Sequence, residues 1–215
     1  MSQVRIMDEW KIGDPVWWAD GDTMAENYGR SDEEEEEEIP IDKNKLYSEN
    51  AWQLNGKGLY WEALEEINKA LSIRKSSYNW NIKGLILHNI AFDEPEKFSQ
   101  SVCCYNRALE MLPENKTIKN NKAICLSDWA WYLQSQRQYD LAMEKIDEAM
   151  PLFRQKDLDY AYALDVKGVI YHKTNNRQKA RECYDEALVY DPENEVYADN
   201  IIRLNRGLDI DSDYL

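Results

Sequence analysis

Few residues in this chain have types suited to acid–base or nucleophilic chemistry: two histidines, His88 and His172, and four cysteines, Cys103, Cys104, Cys125 and Cys183. A general base or nucleophile works only when a partner group is held against it. Neither histidine comes with a nucleophile elbow, a phosphate-binding glycine loop or an H-E-x-x-H pair. Both are expected as groove-lining or surface groups. Cys103 and Cys104 are adjacent and point to different sides of a helix, and no C-x-x-C spacing occurs. The thiols therefore read as reduced, mostly buried apolar residues and not as zinc ligands. Asp14, Asp20, Asp22 and Glu26 lack the D-x-[DN]-x-[DN]-G order of a calcium loop. No catalytic residue, metal or cofactor is expected, and what remains is recognition.

With 215 residues, 43% of them apolar, the chain can bury a real core. Its eight Trp and fourteen Tyr read mainly as fillers of the spaces between helices. Charge is unevenly placed: residues 1–42 hold 14 acidic and 3 basic side chains, a balance of −11 out of the total −15. Nucleic acid and anionic membrane surfaces are unfavourable partners for such a chain, because phosphate contacts need clustered Lys and Arg. No apolar run suits a signal peptide or approaches the ~18 residues of a membrane span. A cytoplasmic location is the expectation.

The elements that must position any binding residues are clearest over residues 161–192. Gly168 and Tyr171 lie in a first amphipathic helix, Asn175 and Asn176 make a turn, and Ala180, Tyr184 and Ala187 recur along a second that Asp191-Pro192 stops. Small residues seven apart leave room for another helix to cross closely, and Tyr184 fills the space between them. The same register occurs at Ala63 and Ala70, Ser101 and Ala108, and Ala142 and Ala149.

This spacing of a small residue, an aromatic, two alanines and a closing proline resembles the tetratricopeptide repeat. The resemblance implies an all-α fold: a right-handed α-solenoid of about four helix pairs (A and B) plus a C-terminal capping helix, preceded by an acidic irregular leader. The expected units are residues 43–76, 77–115, 116–156 and 157–192, with a cap at 193–208, a leader at 1–42 and a frayed tail at 209–215. In unit one, helices over 43–55 and 59–74 flank a Gly56-Lys57-Gly58 turn whose glycines suit positive φ. Unit two carries about five extra residues near positions 90–95, with Pro95 in the first turn of a helix from about Glu94 to Leu112. Unit three is lengthened by seven residues, two helical turns, so its helix A should run from Lys116 to about Gln136. Pro151 should kink or end its helix B after Met150.

In that family the inner, concave surface comes mainly from helix A positions 2, 5, 6, 9, 12 and 13. The resemblance therefore implies a peptide-binding groove of Ser48, Glu49, Trp52 and Asn55, then Tyr78, Asn81, Ile82, Leu85, His88 and Asn89. Unit three supplies Thr117, Asn120, Asn121, Ile124 and Ser127, and unit four Tyr162, Asp165, Val166, Val169, His172 and Lys173. The Lys, Asn and Arg clamp with which some members hold a terminal carboxylate is missing. Asn81, Asn120 and Asn121 are expected to bond a peptide backbone while Trp52, Tyr78, Ile82 and Leu85 receive its side chains. The expected function is a non-catalytic protein- or peptide-binding adaptor. Trp10, Trp17 and Trp18 are candidate anchors by which the leader docks on a partner or in the groove itself. The alternative is a structural protein that forms a homodimer through Trp129, Trp131 and Tyr132.

Overall fold

The computed structural model describes residues 42–209, and all regular structure among them is helical. The helices are α1 (Lys43–Gly56), α2 (Tyr60–Ile73), α3 (Ser77–Ile90), α4 (Lys97–Met111), α5 (Lys116–Ser135), α6 (Tyr139–Ala149), α7 (Leu158–Lys173), α8 (Arg177–Tyr190) and α9 (Glu195–Arg206). Consecutive helices pair as α1·α2, α3·α4, α5·α6 and α7·α8, and each pair packs on the next, with α9 closing the row. The odd-numbered helices also touch one another in sequence, α1 to α3 to α5 to α7 to α9, which makes them one continuous wall. This is an all-α solenoid.

Local chemistry explains where the wall helices begin. Each odd-numbered helix starts on a polar side chain that accepts from its own first-turn N–H groups: Asp42, Ser76, Asn115, Asp157 and Asn194. Among the even-numbered helices only α8 has such a cap, from Asn176. The turns that lead into α2, α6 and α8 each reverse the chain through a residue in the left-handed region: Gly58 at φ 77°, Arg137 at φ 60° and Asn175 at φ 61°. Of the two turn glycines, only Gly58 adopts positive φ, because Gly56 is still the last residue of α1.

Departures from the expected boundaries have local causes. Pro95 does not open α4; it sits in the preceding turn, where its carbonyl accepts from Phe98 N–H and the Glu94 carbonyl from Lys97 N–H, and the helix begins at Lys97. Pro151 falls within a single 3-10 turn, Met150–Leu152, which extends α6 past Ala149 without requiring a proline N–H. Asp42, counted with the leader from sequence, is the α1 cap, and Asp209, counted with the tail, pairs with Lys173 at 2.9 Å. The tryptophans Trp10, Trp17 and Trp18 lie outside the described residues.

Helix pairs close by fitting size to size. A Cβ added to Gly84 would stand 2.7 Å from the Tyr105 ring, and one added to Gly168 would stand 2.5 Å from the Tyr184 ring. Both tyrosines are fully buried. In the other two pairs the small residue is Ala51 or Ala123, and it shares a buried core with Ile67 or Ile146, which takes the tyrosine's place in the register. The smaller residue goes with the flat ring and the larger with the branched aliphatic. Gly168→Ala should therefore cost about 1–3 kcal/mol by overpacking. Gly168→Ala with Tyr184→Ile, which copies the pairing of units one and three, should recover most of that loss in urea titrations.

Candidate functional site

The wall of odd-numbered helices is tied from helix to helix by side chains. Asn89 Nδ2 donates to Asn55 Oδ1 at 2.9 Å between α3 and α1, and Asn121 Nδ2 donates to Asn81 Oδ1 at 3.1 Å between α5 and α3. Each such amide pair retains an unused N–H and an unused carbonyl lone pair, the groups an extended backbone needs. Asn120 Oδ1 accepts instead from the main-chain N–H of Arg154, at 3.1 Å, so it anchors the loop after α6.

Further along the wall, Asp128 on α5 is the centre of a second tie. A carboxylate only accepts, so His88 Nε2 on α3 is the donor to Asp128 Oδ2, at 2.8 Å. The Tyr162 hydroxyl on α7 bonds the same carboxylate, and burial first, then the charge of Asp128, raise the Tyr162 pKa well above the phenolic range. Asp165, one turn beyond Tyr162, accepts from Asn200 Nδ2 on α9 at 2.9 Å. Burial raises the Asp165 carboxyl to about 7, against the lowering effect of the Asn200 bond.

Several residues expected in the groove are core instead. Ile82 on α3 and Val166 on α7, each 1% exposed, pack into the cores of the preceding first and third helix pairs, and Val169 packs with Ala180, Tyr184 and Leu204. Their helices are flanked on two sides, by the partner within the pair and by the next wall helix, which leaves only a narrow strip open. Leu85 and Ile124 are half-buried. His88 is buried under its bond to Asp128. His172 faces the segment after α9: its Nε2 donates to the Leu208 carbonyl at 3.0 Å, and burial lowers its pKa. Trp52 and Tyr78 remain open, at 50% and 53% exposure.

The aromatic residues of the third unit are packed within the chain. Trp129 stacks on Phe98 with ring centroids 6.3 Å apart, Tyr132 meets the same ring at 6.2 Å, and Trp131 lies half-buried against the α5–α6–α7 core. Phe98 continues through Phe92, itself 46% exposed, to His88, so rings beside the extra turn of unit two and rings of α5 form one connected group. Burial raises the Cys104 and Cys183 thiols to about 11 and Cys125 to about 12. They are thiols, not nucleophilic thiolates.

Asp128, the hub of the wall, escaped the sequence reading although it stands one residue past Ser127, at position 13 of its helix. Asn200 was missed because no register had been assigned to the capping helix.

Compared with known families, residues 161–194 match the Tetratricopeptide repeat. No curated protein matches the chain. Among solved structures, MamA residue 41 to end from Desulfovibrio magneticus RS-1 superposes with a TM-score of 0.57 at 20% identity, covering 77% of this chain and 85% of that one. Pseudomonas aeruginosa PilF gives 0.52 at 17%, covering 77% and 68%. YrrB, described as a TPR protein with an unusual peptide-binding site, gives 0.51 at 20%, covering 73% of each chain. At these identities the likeness is one of fold. The repeat match over residues 161–194 and the helix-pair array together define the class of fold: an α-solenoid of tetratricopeptide-type helix pairs.

Among the described residues no helix is long and apolar enough to cross a membrane, and no group of three or more His, Cys, Asp or Glu could hold a metal.

The Asp165 carboxyl gives a pH test. Its pKa is raised on folding, so the unfolded chain binds fewer protons between about pH 4 and 7, and stability falls as pH rises through that window. Tyr162 and Tyr184 lie within electrostatic reach of it and stay neutral there. Asp165→Asn, which keeps an acceptor for Asn200, should flatten this dependence and raise stability at pH 8 by about 1–4 kcal/mol. Thermal melts of both proteins at pH 5 and pH 8 check it.

Proposed function

We propose that the wall of odd-numbered helices binds an extended segment of another polypeptide. The observation that carries this reading is the open end of the wall, where Trp52 and Tyr78 stand half-exposed on adjacent helices beside the Asn55–Asn89 and Asn81–Asn121 pairs. Two large aromatic side chains in water are a cost to a free scaffold and a gain to a complex. The amides beside them offer an N–H and a carbonyl at each pair, so a peptide backbone laid along the wall satisfies its own polar groups without unfolding any tie. Leu85 and Ile124, half-buried between these pairs, supply an apolar floor. Nothing in this reading requires residues 1–41.

Removing both rings tests it. Trp52→Ala with Tyr78→Ala exchanges solvent-exposed groups and should leave the melting temperature within a few degrees. Binding to a positional-scanning nonapeptide library should fall at least ~10-fold, the scale of losing two interface anchors. Unchanged binding with an intact fold would remove the wall as the binding surface.

A further inference from the structure

Resting on that reading, we propose that the segment this wall accepts is basic, with Lys or Arg side chains seated at two carboxylates, Glu49 on α1 and Asp128 on α5.

Each carboxylate is bordered by aromatic residues, the arrangement that suits a cation on both electrostatic and cation–π grounds. Glu49 is one turn before Trp52 on the same face of α1. Burial first and then the negative field of Glu49 raise the Tyr78 hydroxyl, which puts this carboxylate within electrostatic reach of that ring. Its pairing with Lys45, at 3.7 Å between two side chains that are each about half-exposed, is loose and open to exchange. Asp128 is held in place by His88 and Tyr162, and its side chain remains 15% exposed with acceptor capacity beyond those two donors. Trp131 lies one turn further along the same face of α5.

Cations are scarce on the same surface. At the wall positions of α1, α3, α5 and α7 the basic side chains are Lys45, which lies against Glu49 itself, and Lys173, which pairs with Asp209 at 2.9 Å. Arg154 borders the wall from the loop after α6, attached through its main chain. The leader carries the wall's own sign, seven carboxylates over residues 32–38. Charge therefore disfavours that run as an occupant, whereas a basic segment is drawn toward leader and wall alike.

The full chain is screened against the positional-scanning nonapeptide library at pH 8, where an imidazole is neutral, and the strongest peptide is resynthesised with each Arg replaced by citrulline. The expected result is selection of Lys or Arg at one or two positions, a loss of ~10-fold or more with citrulline, and weakening by salt. Asp128→Asn and Glu49→Gln should each erase the basic preference at one position and leave apolar preferences in place. Because Glu49 is exposed, its variant keeps the test valid even if Asp128→Asn disturbs the helix ties. Peptides that bind with no basic preference, or with an acidic one, overturn this inference alone. Failure of the wild-type chain to bind any library member overturns it together with the peptide-binding wall.

Discussion

In two of the four helix pairs a tyrosine ring fills the space above a glycine that has no side chain to resist it. Gly84 under Tyr105 and Gly168 under Tyr184 bring the two helices of a pair near enough for Ser101 Oγ to donate to the Gly84 carbonyl at 2.7 Å. Ala51 with Ile67 and Ala123 with Ile146 reach the same closure with different volumes. Everything further out depends on this fit. It fixes how far each wall helix stands from its partner, and therefore which side chains of neighbouring wall helices meet, and the amide and carboxylate ties follow from it.

Two irregularities that look unrelated along the chain form one device in space. Phe92 lies in the extra turn after α3, Phe98 opens α4 just past it, and Trp129 and Tyr132 lie on the overlong α5. Brought together, they make a run of five rings from His88 to Tyr132 whose neighbouring centroids are 5.7 to 6.3 Å apart. Burial of rings against rings offsets the entropy of ordering both insertions. The run also backs His88 from behind, which holds its imidazole toward Asp128.

How much of this was legible follows from which contacts are local. The pairing register is written in residues seven apart on one helix, so helix pairs, turns and the long α5 can be read from the chain alone. Trp52 and Tyr78 are half-exposed and Asn81 and Asn121 bond across wall helices, features that follow from helix position alone. Ile82, Val166 and Val169 did not stay open, since the width of the exposed strip is set by two neighbours that no single-helix pattern contains. Asp128 was within reach of the same positional rule. Its pairing with His88 spans 40 residues and depends on the meeting of two helices, which spacing along either one does not reveal. Pro95 shows a third kind of limit: a proline suits the first turn of a helix and the turn before it about equally well.

The last tie of the wall differs from the others in joining a buried acid to an amide. Repeat arrays come apart one unit at a time from their ends, because each unit is held only by its neighbours. The bond between Asp165 and Asn200 is what fastens the terminal α9 through the wall side, and its acid changes charge at about 7. Unravelling of the array from its C-terminal end is therefore sensitive to acidity near neutral pH, while the wall tie at the opposite end, the Asn55–Asn89 amide pair between α1 and α3, has no charge to change.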